Sequence, residues 1–218
     1  NGRYAIKIDQ LLTSSSMGGA VSLTARDGIT LASDVNASGA LSLNGGAGIL
    51  QTAGVITTAT LTGGATGAVT LNDLNQIGAL GNFTANGLSL TNAGSLAITG
   101  NVAAGSSAAI NSLGTITQGA GSVVTAGTLT GSSTGSTALT GANQIDTLGA
   151  FTANGFALTN ARSLAVTGPV NGGASVALTT TAGDLAINGA VTGTATALNS
   201  AGAITQGAGS VVTADSLS

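Results

Sequence analysis

The chain has 218 residues, of which only 5% are charged, and its formal net charge is −3. It contains no Glu, His, Cys or Trp, whereas Gly numbers 36 and Pro one. Ordinary domains carry about 25% charged residues, so the composition argues against a typical globular domain. The four Lys and Arg residues form no cluster and do not predict a nucleic-acid-binding surface.

The remaining mixture of Thr, Ser, Asn and small apolar residues favours short β-strands joined by Gly and Asn turns. No apolar run reaches the roughly 18 residues that a membrane-spanning helix needs. The absence of Cys removes disulfides and thiol chemistry. The sequence shows neither an initiator Met nor a signal peptide, so we expect a processed product or an internal segment of a longer protein.

The first stretch, residues 1–19, departs from the pattern of the rest. It holds Arg3, Lys7, the only Tyr and the only Met. Residues 4–8 alternate like a strand, and the pair Leu11-Leu12 is apolar enough to cover an exposed end. Two interpretations stay open for residues 1–19, an irregular first coil and a cap.

Residues 20–218 divide into β-helix repeats, with coils of about 20–24 residues each. Most coils offer three short β-like pieces, which in the first coil are Val21–Thr24, Ile29–Leu31, and Val35 leading into a turn at Ser38-Gly39. The predicted coils begin near Ala20, Ala40, Thr60, Asn82, Ser107, Thr128, Ala150, Ala174 and Ala195.

Two long internal repeats support this division. Asn75–Val102 returns at Asn143–Val170 with 20 of 28 positions identical and an offset of 68 in residue number. Gly114–Ala126 returns at Gly202–Ala214 with 12 of 13 identical and an offset of 88. The two offsets differ by about 20 residues, which indicates a solenoid whose unit has that length. We therefore relate blocks 61–128 and 129–216, take the first offset as three coils, and assign an extra coil to about 174–194.

The predicted fold is an all-β, right-handed parallel β-helix of about 9–10 coils with three strands per coil and essentially no helix. Each strand pairs with its equivalents one coil above and below, about 4.8 Å away, and alternate residues point inward. Gly and Asn are expected to supply positive φ at the corners. Coils of this length with unequal corners favour the right-handed form over the left-handed hexapeptide helix.

The sequence offers little material for catalysis, so we expect no catalytic residue, no cofactor and no metal site. There is no His to act as a base. Only two of the Asp residues are close in sequence, Asp27 and Asp34, and we expect both at corners. Gly45–Gly48 lacks the Asp of a calcium-binding repeat, and Gly119–Gly121 lacks the third Gly of a dinucleotide loop. The seven acidic residues are Asp9, Asp27, Asp34, Asp73, Asp146, Asp184 and Asp215.

Amide side chains recur at matched places, which are Gln51, Gln118 and Gln206, together with Asn75-Gln76 and Asn143-Gln144. They would either grip a sugar or form hydrogen bonds at corners. Because sequence equivalents lie three or four coils apart, we do not expect them to stack on each other, and we favour the corner role. Thr-x-Thr segments such as Thr60–Thr62 do not recur on consecutive coils, so we expect solvent-facing Thr rather than an ice-binding array.

The segments NFTANGLSLTNAGSLAITGNV, residues 82–102, and GTITQGAGSVVTAGTLTG, residues 114–131, resemble the repeat regions of filamentous-haemagglutinin-like bacterial exoproteins. The resemblance covers most of residues 20–218. It implies a right-handed β-helix and export across the outer membrane by a two-partner or autotransporter route. It also implies an extracellular or cell-surface location and a role in adhesion or in carrying an adhesive tip.

The leading functional hypothesis is a rigid, adhesin-type stalk. The alternative is a self-assembling extracellular fibre or sheath subunit that stacks through exposed β-helix ends. The expected partners are a host or neighbouring-cell surface, glycan or matrix, further copies of the chain, and an outer-membrane transporter during export. No nucleic acid is expected, and an enzyme of the β-helix lyase type is disfavoured.

Overall fold

The computed structural model describes residues 4–14 and 18–218, and in this part of the chain every regular element is a β-strand. The strands pair in parallel with strands one turn earlier or later and form a single sheet wound into a solenoid. The prediction of an all-β parallel β-helix is confirmed, while its right-handed sense stays a prediction. None of the described residues belongs to a helix of membrane-spanning length and apolarity.

The strands are β1 Ile6–Ile8, β2 Leu12–Ser14, β3 Val21–Ala25, β4 Gly28–Leu31, β5 Val35–Gly45, β6 Gly48–Gln51, β7 Ile56–Ala65, β8 Val69–Thr84, β9 Leu88–Asn92, β10 Leu96–Ile98, β11 Val102–Ala103, β12 Ser107–Ser112, β13 Ile116–Gln118, β14 Val124–Ser133, β15 Thr137–Thr152, β16 Phe156–Asn160, β17 Leu164–Val166, β18 Val170–Asn171, β19 Ser175–Thr180, β20 Leu185–Ile187, β21 Val191–Thr192, β22 Ala195–Ser200, β23 Ile204–Gln206, β24 Val212–Thr213 and β25 Ser216–Leu217.

A single column of stacked residues runs through the whole solenoid. Each step from one residue of the column to the next is one turn. Ten steps lead from Ile6 to Gln206. The longest step joins Ile6 to Ile29 and the shortest joins Leu148 to Val166, so a turn averages about 20 residues. The predicted coil length was therefore slightly too long. Ten turns at about 4.8 Å each make a rod about 48 Å long. The column consists of Ile6, Ile29, Ile49, Val69, Leu88, Ala108, Leu129, Leu148, Val166, Ile187 and Gln206.

The core consists of such columns, because alternate strand residues point into the solenoid. Leu41, Leu61, Leu80 and Ile98 stack over four successive turns and are fully buried. Burial of each such side chain contributes about 1.5–3 kcal/mol. The strand neighbours of each, such as Ala40 and Ser42 beside Leu41, point outward. Every turn therefore adds one layer to the same core.

Several strands continue through the corners at which the sequence predicted breaks. The predicted turn at Ser38-Gly39 lies inside β5, and β8 and β15 each extend over 16 residues. The ladder between β5 and β7 shifts its register between Ala37 and Ala40. A shift of this kind bends a strand locally, so the chain turns a corner without ending the strand.

Asn closes corners with its side chain rather than with its backbone. In the described residues only Gly has positive φ, for example Gly87 at 103° and Gly155 at 99°, so the prediction that Asn shares this role was wrong. Instead, Asn82 Oδ1 accepts a hydrogen bond from the Asn101 amide at 2.9 Å, and Asn101 Oδ1 accepts one from the Val123 amide at 3.0 Å. These side chains bind the chain one turn above them.

Gly63 is required by both its backbone conformation and its surroundings. Its φ is 120°, and a Cβ atom there would lie 2.0 Å from the Leu43 carbonyl oxygen of the turn below. We expect Gly63→Ala to lower the free energy of unfolding by about 3 kcal/mol, which corresponds to a fall in Tm of about 9 °C. Thermal melts followed by circular dichroism measure this fall.

Gly94→Ala is the matched control, because no atom lies within 4 Å of a Cβ at that corner position. Its counterpart in the second copy of the long repeat is Arg162, so the chain itself tolerates a side chain there. We expect its Tm to stay within about 2 °C of the parent. Equal losses of Tm in the two variants would contradict the role assigned to Gly63.

The two copies of the long sequence repeat begin on different sides of the solenoid. Val69, the first residue of β8, stacks with Leu88, Ala108 and Leu129 over three turns. Its counterpart Thr137, the first residue of β15, comes eight residues after Leu129. The repeat therefore spans three turns and somewhat more than a third of another, and the prediction of three whole coils was wrong.

The shorter repeat, Gly114–Ala126 and its copy Gly202–Ala214, has the same phase. Ile116 stacks through four turns up to Thr196, and its counterpart Ile204 follows eight residues later. One added turn of average length thus accounts for the difference between the two offsets. The phase is the same in both cases, so each repeated segment returns rotated about the axis by the same amount.

The first described residues form a rung of the solenoid. β1 pairs with β4, and β2 pairs with β5. Leu12 packs against the core, whereas Leu11 is 58% exposed. Arg3 and Met17 lie outside the described residues.

Candidate functional surfaces

Two of the Asp side chains close corners, as the sequence predicted. Asp34 Oδ1 accepts a hydrogen bond from the Val55 amide, and Asp184 Oδ1 accepts one from the Ala203 amide, both at 2.8 Å. Each carboxylate is exposed and binds the turn above its own. In residues 4–14 and 18–218, no three acidic side chains come close enough together to hold a metal ion.

Asp27 and Asp34, the two Asp residues that are close in sequence, lie on either side of β4. The Oδ2 atom of Asp27 is buried and has no hydrogen-bond partner among the described residues. It borders a shallow open groove whose other lining residues include Ala5, Gly48 and Ala68. The groove contains no second acid and no base, so it does not provide a general acid–base pair.

In the second copy of the long repeat, Asp146 forms an ion pair with Arg162, and both side chains are solvent-exposed. Their counterparts in the first repeat are Gly78 and Gly94. An exposed pair of this kind contributes about 0–1 kcal/mol to stability. A second exposed pair joins Lys7 to Asp9 at 3.6 Å.

The recurring amides form reciprocal pairs at the edge of the core. Gln51 Nε2 donates to Asn75 Oδ1 at 2.8 Å, and Asn75 Nδ2 donates to Gln51 Oε1 at 3.0 Å. Gln118 and Asn143 repeat the arrangement at 2.8 and 3.1 Å. In each pair the Asn lies one turn after its Gln and is fully buried.

Asn75 and Asn143 each also begin a buried polar column. Asn75 stacks with Asn92, which donates through Nδ2 to the Ile77 carbonyl at 3.1 Å, and Asn143 stacks with Asn160. The corner role that we favoured for the amides is confirmed, and sequence equivalents such as Gln51 and Gln118 do not stack on each other, as expected. The contacts between non-equivalent amides were not predicted, because each Gln binds an Asn from a different part of the motif on the next turn.

Thr60 and Thr62 flank a buried Leu, as expected, and Thr60 stacks with an Ala. Thr117 likewise stacks with Ala97 and Ala138. The Thr-x-Thr segments therefore do not align into a continuous array, which confirms the prediction.

A stripe of polar side chains runs along the outer surface of the solenoid. The sequence alone did not predict it. The stripe contains one hydroxyl or amide side chain per turn over seven successive turns, and Ser132 Oγ donates to Asn111 Oδ1 within it at 2.9 Å. Such a stripe can exchange hydrogen bonds with water or with a neutral polyhydroxylated ligand. Its residues are Thr91, Asn111, Ser132, Thr152, Asn171, Thr192 and Thr213.

The Gly-rich segments allow the backbones of neighbouring turns to approach each other closely. A Cβ at Gly46 would meet the Arg26 carbonyl oxygen of the turn below, and Gly48 stacks directly on Gly28. Gly121 has a φ of 78° and lies in the turn after β13. The need for glycine at these positions is thus explained by the backbone alone.

No family model matches the chain, and neither a curated protein nor a solved structure matches it. The fold defines the class of protein: this is a parallel β-helix, a solenoid repeat protein.

Proposed function

We propose that the chain is a structural, adhesin-type segment that acts as a rigid stalk. The observation that supports this most directly is the column of ten steps from Ile6 to Gln206, which runs from one end of the rod to the other. Strand pairings continue on more than one side of every turn, so bending the rod would strain ladders on opposite sides at once. A solenoid of this kind changes length by whole turns.

The surface favours a structural role over catalysis. Its charges are few and scattered, and the polar stripe presents uncharged groups that hydrogen-bond to water. We further propose that the stalk belongs to a large exported bacterial protein of the filamentous-haemagglutinin-like kind and stands at the cell surface. Its proposed partners are a glycan, matrix or cell surface, and an outer-membrane transporter during export. The resemblance of residues 82–102 and 114–131 supports this proposal.

Distances between two spin labels test the rigidity of the stalk. The chain has no Cys, so two introduced Cys residues are labelled selectively. Thr30 and Thr130 lie in one outward-facing column, five turns apart. We expect Thr30→Cys with Thr130→Cys to give a narrow distribution centred near about 24 Å, since each turn rises by about 4.8 Å.

Thr91 and Thr213, six turns apart in the polar stripe, provide the second label pair. We expect a narrow distribution centred at about 29 Å, which is one further rise of about 4.8 Å. Single-label samples control for contacts between molecules. Broad distributions for both pairs would rule out a rigid stalk.

The alternative function, a self-assembling fibre, is favoured by one observation. Ile204 and Leu217 belong to stacked columns but are 48% and 62% exposed on the last rung. An open rung is a template for further strands. Negative-stain electron microscopy across a concentration series decides between the two: separate short rods at every concentration support the stalk, and long fibres one solenoid wide support the fibre.

A further inference from the structure

Asn-Gly pairs are positions at which a backbone nitrogen can attack the preceding side chain. Gly has no side chain to hinder this approach, and its backbone is the least restricted of all residues. The chain contains six such pairs, of which Asn1-Gly2 lies outside the described residues. The other five pairs begin at Asn44, Asn86, Asn154, Asn171 and Asn188.

Three of these pairs have matching surroundings and can be compared directly. Asn86, Asn154 and Asn188 are each exposed, and the Gly that follows each of them is half-buried. None of these three side chains forms a hydrogen bond with another described residue. Asn44 and Asn171 differ, because their side chains are hydrogen-bonded to Ser42 and to the Gly173 amide, respectively.

The backbone amide of the Gly distinguishes the three matching pairs. The Gly87 amide donates to the Ala104 carbonyl at 2.8 Å, and the Gly155 amide donates to the Gly172 carbonyl at 2.6 Å. Both hydrogen bonds join one turn to the next. The Gly189 amide has no hydrogen-bond partner within residues 4–14 and 18–218. Of the three nitrogens, only that of Gly189 is therefore free to react.

The corner around Asn188 is ordered but leaves the reacting groups unengaged. The Asn188 amide donates to the Val166 carbonyl at 2.8 Å. The flanking strands β20 and β21 each pair with a strand below and a strand above. Asn188 Oδ1 lies beside Gly207 of the turn above, where a Cβ atom would come within 2.5 Å of it. The side chain therefore occupies space that the absence of a side chain at Gly207 provides.

We propose that Asn188 is a deamidation site, at which the chain modifies itself with water as the only co-reactant. The Gly189 nitrogen loses its proton to hydroxide and forms a bond to Asn188 Cγ. The bond from Cγ to the side-chain nitrogen breaks, and this nitrogen takes a proton from water and leaves as ammonia. Water then opens the resulting succinimide ring to give aspartate or isoaspartate. The proposal does not depend on the stalk function.

The modification changes the corner in charge and in length. Either product replaces a neutral amide with a carboxylate, and isoaspartate also adds one carbon atom to the backbone. The added atom precedes Val191, which stacks on Val170 below and under Val212 above. Isoaspartate therefore displaces the following strand from its column and weakens the last turns.

Rates of conversion within one molecule test the proposal. The full chain is kept folded at mildly alkaline pH in water enriched in heavy oxygen, which marks each newly formed carboxylate. Tandem mass spectrometry of proteolytic peptides assigns each mark to a position, and Asn86 and Asn154 are the matched controls. We expect Asn188 to be converted at least about fivefold faster than either control, because their Gly amides must first break a hydrogen bond.

The unfolded chain and one variant supply the remaining comparisons. In denaturant all three Gly amides are open to solvent, so we expect the three rates to agree within about twofold. In Asn188→Gln the longer side chain would have to close a larger ring, so this position should stay unmodified. After ageing, the parent should have a lower Tm than it had before, whereas Asn188→Gln should keep its Tm.

Equal rates at the three positions in the folded chain would overturn the proposal. So would an unmodified Asn188 in the folded chain over a time in which the unfolded chain is fully converted. A faster rate at Asn188 that persists unchanged in denaturant would also contradict it, since the local sequence would then explain the rate without the free Gly189 amide.

Discussion

We expect deletion of residues 175–194 to leave a folded rod that is one turn shorter, and deletion of residues 175–184 to disrupt the turns that follow. The longer deletion brings Ala195 to the place of Ser175, its register partner. Leu198 then replaces Leu178, and Val212 replaces Val191, so the core columns close again without a gap. We expect its Tm within about 5 °C of the parent, since a solenoid is stabilised by nearest-neighbour turns.

The ten-residue deletion removes half a turn and moves every later residue out of its column. Leu185 would then take the place of Ser175, and the following corners would fall on the middle of the strands beneath them. We expect the turns after residue 174 to unfold, with a loss of Tm of about 10 °C or more, because about two buried layers disappear. Circular dichroism melts and limited proteolysis measure both variants. Identical melts would show that the register assigned to this segment is incorrect.

Replacement of a buried amide has the next largest expected effect. Asn75 is fully buried, and its side chain binds Gln51, the Ile56 amide and the carbonyls of Leu71 and Thr91. Asn75→Ala removes the acceptor of the Ile56 amide and the donor to the Leu71 and Thr91 carbonyls, and it leaves Gln51 with only its bonds to Gly54 and Asp73. We expect the free energy of unfolding to fall by about 4 kcal/mol and the Tm by about 10 °C.

Asn72→Ala is the control for this variant. Asn72 lies in the same strand, is exposed, and accepts one hydrogen bond from Ser89 at 2.7 Å. We expect it to change stability by no more than about 0.5 kcal/mol. The double variant with Gln51→Leu and Asn75→Leu should be less destabilised than the sum of its single variants, because neither amide is then left alone. Strict additivity would show that the two side chains act independently.

The sequence predicted those parts of the fold that depend on local alternation. Val21–Thr24 and Ile29–Leu31 alternate between apolar and polar residues, and the structure forms β3 and β4 there. Alternation has a period of two residues and can be seen within one strand. The continuous strand β5 could not be predicted, because Gly39 in a bent strand and Gly39 in a turn look the same in a sequence.

The amide pairs escaped prediction for a different reason. Gln51 and Asn75 are 24 residues apart, which is more than one average turn, so a search at equal spacing does not bring them together. The polar stripe was missed similarly, because register shifts such as the one between Leu129 and Gly131 change the spacing from turn to turn. Contacts that depend on the exact length of each turn need the register, which the sequence alone does not give.

The eight-residue phase of the repeats would limit how a binding partner could reach the two copies of a segment. Copies of one surface segment, such as those in β8 and β15, point in different directions around the axis. A flat, stiff partner can therefore touch only one of them, and the two copies cannot add their affinities into avidity towards it. Two separate partners, however, can be held at once without colliding. Further copies of the long repeat would follow a spiral, and a long filament would then present the same segment to every direction.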